Sequence, residues 1–173
     1  MCAYTGWMQP LTPEQIREAL VNVDDEERGR VPLPGLHETV WDEREFLGWR
    51  DPERPHRGYI VYWDGSTPRG VTLRAAESAM PAGKPAMCSL CHTQQPAPQV
   101  SLFVAPKAGH RGKRGDTVGT YLCRDLSCSA LIRMKPAEDP GHPEASDTVR
   151  RRSQGVHERL AGFTRRVIGD EAV

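Results

Sequence analysis

The sequence predicts an α+β fold made of β-hairpins, with one helix near the N-terminus and a longer amphipathic helix near the C-terminus. Three observations predict it: a capped run of helically spaced apolar residues at 13–22, β-branched and aromatic runs on both sides of Asp64-Gly65, and apolar residues at helical spacing from Val149 to Val167. The 173 residues fit one domain or slightly more, and 38% hydrophobic residues suffice for one modest core. These bounds exclude a large multi-lobed enzyme.

The N-terminal helix has clear start signals. Thr12 suits the N-cap, Pro13 suits the first helical position, and Gln15 suits the reciprocal position of a capping box. The apolar residues that follow share one helix face: Ile16, Ala19, Leu20 and Val23. We expect a packing helix over about 13–22, followed by a charged helical turn over 24–30.

Two hairpins follow from strand-like runs. The runs 59–63 and 70–74 flank the turn dipeptide Asp64-Gly65 and predict the first hairpin. The runs 100–104 and 118–123 predict the second hairpin.

Four of the five cysteines have the spacing of metal ligands. Cys88 and Cys91 form a C-x2-C pair, and after 31 residues Cys123 and Cys128 form a C-x4-C pair. Two such pairs complete the closed tetrahedral shell of a structural zinc ion and leave no position for a reactive water. Disulfides are a poor alternative, because the cytosol keeps thiols reduced. We therefore predict one structural Zn²⁺ held by these four cysteines, and the sequence assigns no role to Cys2.

The order of elements around the cysteines is that of a treble-clef zinc finger. The first pair forms a knuckle, the second hairpin follows, and a short helix over 125–133 is predicted, with Asp125 as N-cap and Cys128 in its first turn.

Two other roles fit the first cysteine pair less well than zinc binding. Cys88 to His92 also fits C-x-x-C-H, the attachment pattern of c-type haem, but haem would leave Cys123 and Cys128 unexplained. A thioredoxin-like redox pair needs a strand before it and a helix after it, whereas Pro85 precedes this pair and a proline-rich run follows it.

The zero net charge hides an asymmetry. Residues 1–99 carry 10 Lys/Arg and 14 Asp/Glu, whereas residues 100–173 carry 13 and 9. The loop 105–117 is rich in basic side chains, namely Lys107, His110, Arg111, Lys113 and Arg114. Such a loop attracts a polyanion or an acidic protein face, so we take it as the candidate contact loop.

The last helix is predicted over 147–168. Its apolar face is formed by Val149, Val156, Leu160, Phe163 and Val167. Six arginines line much of the remainder: Arg150, Arg151, Arg152, Arg159, Arg165 and Arg166. We expect this helix to pack on the zinc unit and expose a basic surface; the alternative is an arm that binds a polyanion.

The predicted organisation is an N-terminal helix and hairpin region over 1–76, a linker over 77–87, the zinc finger over 88–135, a second linker over 136–146 and the C-terminal helix over 147–168. All of these parts are expected to form one compact domain. The sequence has no membrane span or signal peptide, so we expect a cytoplasmic protein.

Four motifs together resemble a known family. They are Phe46–Asp51, Met87–Cys91, Ser101–Gly109 and Gly119–Ser129. They look like the FBP-type treble-clef zinc-finger proteins of actinobacteria, which are similar to the C-terminal domain of the FusB-type fusidic acid resistance proteins. The resemblance covers about residues 10–168. It implies a non-enzymatic protein that binds elongation factor G, the translocase, and helps free it from the ribosome when the drug has trapped it.

The resemblance also implies functional residues. The zinc ligands carry over as Cys88, Cys91, Cys123 and Cys128. The partner surface of the resistance proteins uses aromatic and basic side chains of the finger, whereas Ser89 and Leu90 occupy the knuckle here. The candidate partner-binding residues are therefore Lys107, Arg111, Lys113, Arg114, Tyr121 and Arg133.

Other function classes remain open. As an RNA-binding module, the same basic residues would meet ribosomal RNA phosphates, with Phe103, Tyr121 or Trp49 stacking on bases. No nucleophile with a base, paired carboxylates or open metal site stands at informative spacing, which argues against an enzyme. His92 and His110 would matter only in a treble-clef nuclease. We expect elongation factor G and the ribosome as partners, without a membrane or small-molecule substrate.

Overall fold

A computed structural model describes residues 8–77, 80–134 and 145–169. Cys2 and most of the predicted linker at 136–146 lie outside these ranges. The strands are β1 (Leu47–Arg50), β2 (Arg57–Asp64), β3 (Thr67–Ala75), β4 (Pro85–Met87), β5 (Gln94–Pro96), β6 (Val100–Pro106) and β7 (Thr117–Cys123). The α-helices are α1 (Pro13–Ala19), α2 (Asp25–Gly29), α3 (Gly109–Lys113), α4 (Cys128–Ile132) and α5 (Ala145–Ile168). The predicted α+β class is confirmed.

The main sheet has five antiparallel strands in the order β1-β2-β3-β6-β7, and β4 pairs with β5 in a separate small hairpin. Both predicted hairpins are present, as β2-β3 and β6-β7. In the first, Asp64 pairs with Thr67 and Gly65 has φ +64°, the left-handed conformation that a tight two-residue turn requires. The strand β4 begins at Pro85, inside the stretch predicted as a linker at 77–87.

The N-terminal helix is shorter than predicted. Thr12 and Gln15 form the predicted capping box, but α1 ends at Ala19 and not near residue 22. Leu20 instead forms an isolated bridge with Gly70, and the backbone N–H of Val21 donates to Gly70 O. Docking of the chain onto β3 therefore ends the helix, a tertiary contact that periodicity does not reveal.

The long helix α5 covers one side of the core. Val156, Leu160, Phe163 and Val167 are buried as predicted, whereas Val149 is only half-buried. The arginines of α5 are exposed, apart from the half-buried Arg159, so the helix packs and presents basic side chains at the same time. Within the described ranges, no helix has both the length and the apolar character needed to cross a membrane.

The segment between β7 and α4 packs on the sheet at two glycines, Gly48 and Gly58. Leu126 is buried with φ +59°, and a Cβ on Gly48 would lie 2.8 Å from Leu126 O and 2.9 Å from Leu126 Cβ. A Cβ on Gly58 would lie 3.0 Å from Leu126 Cδ1. The absence of a side chain at Gly48 of β1 and at Gly58 of β2 therefore lets the segment between the last two cysteines sit directly on the sheet.

We expect Gly48→Ala to lower the free energy of unfolding by about 1–3 kcal/mol, because the new methyl group would overlap backbone as well as side-chain atoms. Urea unfolding monitored by circular dichroism measures this loss. Gly29→Ala is the matched control, since a Cβ there has nothing within 4 Å. An equal effect of both substitutions would contradict close packing of the Leu126 segment on β1.

Candidate metal centre and contact surface

The four spaced cysteines meet at one point. Their sulfur atoms lie within 4.8 Å of one another, and all four residues are buried. The Sγ atoms of Cys88 and Cys128 are 3.5 Å apart, those of Cys91 and Cys123 are 3.7 Å apart, and those of Cys123 and Cys128 are 3.5 Å apart. Gathering all four sulfur atoms in this way disfavours the haem alternative.

Donor chemistry and spacing both fit zinc. With Zn–S bonds of about 2.3 Å, a tetrahedral shell places its sulfur atoms about 3.8 Å apart, close to the separations in this cluster. The cluster therefore fits one structural Zn²⁺, as predicted, and four sulfur donors leave no coordination position for a substrate or water.

Two turns aim the sulfur atoms inward. In the knuckle, the backbone N–H of His92 donates to Cys88 O at 3.0 Å, and His92 has φ +54°, a conformation that His tolerates better than most residues. On the other side, the predicted helix at 125–133 forms only as α4, which begins at Cys128. Asp125 is not its N-cap, because its Oδ1 accepts from Ser127 N and Oγ two residues later.

Neighbouring groups hold the sulfur atoms in place. The amide nitrogen of Gln95 donates to Cys123 Sγ at 3.2 Å, and Leu90 N lies 3.4 Å from Cys88 Sγ. Arg159 of α5 donates through Nε to Leu90 O at 2.6 Å and so ties the knuckle to the long helix. Such contacts fix ligand orientation in metal sites. Sequence patterns do not indicate these roles of Gln95 and Arg159, because both residues lie outside the cysteine motifs.

Crowding four thiols together pulls their pKa values in opposite directions. Hydrogen bonds from the other thiols, first that of Cys123, lower the pKa of Cys91. Hydrogen bonding to Cys123 is the main cause that raises the pKa of Cys128, and burial adds to it. Four thiolates at this spacing repel one another, so a divalent cation removes a large electrostatic penalty.

The predicted contact loop forms the tip of the β6-β7 hairpin and has a defined shape. Lys107 N donates to Asp116 O at 2.9 Å, and Arg111 Nε donates to Asp116 Oδ2 at 3.1 Å. A Cβ on Gly112 would lie 1.8 Å from Lys107 O, so this position requires glycine. Ala108 N donates to Val167 O at 2.9 Å, which fastens the loop to the end of α5. We call residues 105–117 the basic tip.

The predicted partner residues do not all lie in one place. Lys107, Arg111, Lys113 and Arg114 share the basic tip, and Lys113 and Arg114 are exposed there. Tyr121 lies on the edge strand β7 of the same hairpin and is 44% exposed. Its backbone carbonyl accepts from Ser89 N at 2.7 Å, so β7 runs beside the knuckle at this position.

Arg133 has a different environment. Its two terminal nitrogens lie 2.7 and 2.8 Å from the carboxylate oxygens of Glu45, whose side chain is fully buried. Ser153 of α5 donates to the same carboxylate at 2.9 Å, and Glu45 N donates to Ser129 Oγ at 3.1 Å. This cluster joins the segment before β1 to α4 and α5, so the guanidinium of Arg133 is engaged within the fold.

Comparisons with known proteins agree with this architecture. A family model described as the FBP C-terminal treble-clef zinc-finger matches residues 15–167. No curated protein matches the sequence significantly. A solved structure of the fusidic acid resistance protein FusC aligns with a TM-score of 0.56 and 17% sequence identity. The alignment covers 91% of this chain and 58% of that chain, so this chain corresponds to a little over half the length of FusC. At this identity the likeness shows a shared fold.

Proposed function

The chain belongs to the FBP C-terminal treble-clef zinc-finger family, and from this we propose that it is a non-enzymatic factor that binds elongation factor G, free or on the ribosome, and promotes release of the stalled factor. We place this activity in the cytoplasm, where the factor and the ribosome work. The name of FusC describes that protein as a fusidic acid resistance protein, and we extend protection from the drug to this chain as part of the same proposal.

The metal has a structural part in this proposal. Cys88, Cys91, Cys123 and Cys128 would hold one zinc ion, which joins the knuckle to the start of α4. The β6-β7 hairpin runs from the knuckle side to the basic tip, since Cys123 is the last residue of β7. A fixed metal centre at one end of the hairpin therefore supports a fixed contact surface along it.

The observation that carries the proposal is the defined conformation of the exposed basic tip. Backbone and side-chain hydrogen bonds within the loop, together with the bond from Ala108 N to Val167 O, hold it before any partner arrives. A surface that is already ordered loses little conformational entropy on binding. Lys113 and Arg114 present the charge, and Tyr121 adds an exposed aromatic ring of the kind enriched at binding hot spots. We leave Arg133 out of this surface because Glu45 occupies its guanidinium.

Charge reversal tests the surface. We expect the double substitution Lys113→Glu and Arg114→Glu to weaken binding of purified elongation factor G about tenfold, mainly through slower association, because exposed charges at an interface rim govern the encounter rate. Biolayer interferometry with the zinc-loaded protein measures both rate constants. Thermal unfolding should not change, because both side chains are exposed.

The control carries the same change of net charge elsewhere. Arg30 and Lys84 are exposed and lie outside the basic tip, so Arg30→Glu with Lys84→Glu should leave the affinity for elongation factor G nearly unchanged. Equal weakening by both double variants would show a general charge effect and contradict a specific surface. Unchanged binding of the Lys113 and Arg114 variant would move the contact surface to another part of the protein, with α5 as the next region to test.

A further inference from the structure

A second basic feature lies on the surface around the β7-α4 turn, apart from the basic tip. A groove of about 700 Å³ lies between the end of β1, the segment that begins with β5, and the turn that leads to α4. It is lined by Arg50, Pro55, Gln95, Pro98, Gln99, Arg124, Asp125, Ser127 and Leu131. We call it the arginine groove.

Two arginines line the groove, and the guanidinium of Arg50 contacts the backbone of Arg124. Arg50 donates from one terminal nitrogen to Arg124 O at 3.3 Å, and its guanidinium carbon lies 5.0 Å from the centre of the Phe103 ring. Burial, followed by the positive charge of Arg124, lowers the pKa of Arg50. In the part of the chain that the structure describes, no carboxylate forms an ion pair with either arginine. Two cations that line one groove, neither with an ion-pair partner among the described residues, favour an anionic ligand.

The rest of the lining indicates what kind of anion fits. Gln99 offers an amide that can both donate and accept, and Pro55 and Pro98 offer flat faces. Leu131 is the single large aliphatic side chain of the lining, so a protein partner would lack a deep apolar anchor pocket. A single-stranded polynucleotide carries what the lining would recognise: phosphates for planar guanidinium forks, and bases with polar edges and flat faces.

We propose that the arginine groove binds single-stranded RNA, with Arg50 and Arg124 on backbone phosphates and the Gln99 amide on a base edge. This site lies on a different set of residues from the basic tip, and it does not depend on binding of elongation factor G. Gln95 lines the groove and also donates to Cys123 Sγ, so the RNA site borders directly on the metal centre.

The test uses the full zinc-loaded chain and a fluorescein-labelled oligouridylate of about twelve nucleotides, within the range that single-stranded binding modules cover. Fluorescence anisotropy measures the Kd at several salt concentrations. Two phosphate contacts predict a slope of log K against log salt of at least about 1.4 in magnitude. Arg124→Glu should weaken binding at least tenfold and make the slope shallower by about 0.7. The Arg124 side chain is exposed, so folding and zinc content should persist.

Two further variants test the lining of the groove, and a third controls for net charge. Gln99→Glu adds a negative charge without changing side-chain size and should also weaken RNA binding. Asp125→Asn removes the one acidic group of the lining and should strengthen RNA binding, while its side-chain oxygen still accepts from Ser127. Arg114→Glu is the matched control for net charge, and it should leave the RNA affinity within about twofold of the original protein.

Other outcomes would overturn the proposal. Equal loss with Arg124→Glu and Arg114→Glu would mean non-specific attraction, and undetectable RNA binding by the unmodified protein would mean that the groove has no such ligand. Competition by polyglutamate as strong as by unlabelled RNA would assign the groove to an acidic peptide. Binding of elongation factor G separates the two sites. Arg124→Glu should retain it, whereas charge reversal at Lys113 and Arg114 should weaken it about tenfold while RNA binding persists.

Discussion

Cys123→Ser is expected to release zinc and unfold the finger. Cys123 contributes the sulfur that lies near those of Cys91 and Cys128 and that accepts a hydrogen bond from Gln95. Structural zinc contributes about 10–16 kcal/mol in zinc-finger peptides, and a whole domain has a stability of about 5–15 kcal/mol. Loss of one thiolate ligand therefore removes enough free energy to unfold the surrounding structure. Inductively coupled plasma mass spectrometry gives the zinc content, and circular dichroism gives the unfolding.

Removal of zinc by a chelator should also unfold the finger of the unmodified protein. The finger depends on the metal to hold its four sulfur atoms together. Cys2→Ser is the matched control, since Cys2 does not belong to the spaced pairs, and this variant should retain one zinc ion per chain. A Cys123→Ser protein that keeps one zinc ion and unfolds at the original temperature would contradict the assignment of Cys123 as a ligand.

Arg133→Met should cost about 3–5 kcal/mol of stability, the second largest loss that we expect. The fully buried carboxylate of Glu45 would keep its hydrogen bond from Ser153 but lose its only described ion-pair partner. An uncompensated buried charge is far more costly than a missing surface pair, because the low-polarity interior does not solvate it. Urea denaturation of the zinc-loaded protein measures the difference.

A double variant at the same ion pair and a variant at a surface ion pair serve as controls. Glu45→Leu combined with Arg133→Met should recover much of the stability, because no buried charge then remains. Arg30→Ala removes an exposed pair with Glu26 and should cost at most about 1 kcal/mol. If Arg133→Met costs no more than Arg30→Ala, the ion pair with Glu45 does not hold the segment before β1 to α4 and α5.

Local patterns predicted much of the fold because the relevant interactions act over short distances along the chain. The capping box of α1 involves residues three positions apart, and the Gly65 turn needs only a residue that tolerates positive φ. The helical spacing from Val156 to Val167 likewise reports one buried face. Where a contact between distant residues competes, local prediction is wrong, as when the bridge to Gly70 ends α1 early. A competing local bond has the same effect at Asp125, whose side chain accepts from Ser127 and does not cap α4.

The sequence by itself determined the α+β class, the two main hairpins and the family, because cysteine spacing and strand alternation are properties of neighbouring residues. Only the tertiary structure decided which side chains are available for binding. It brings Glu45 to Arg133 over 88 positions and Arg50 to Arg124 over 74, so that one arginine pairs with a buried carboxylate and another forms one wall of a groove. All of these arginines look alike in the sequence, because the difference between them lies in partners that packing supplies from distant parts of the chain.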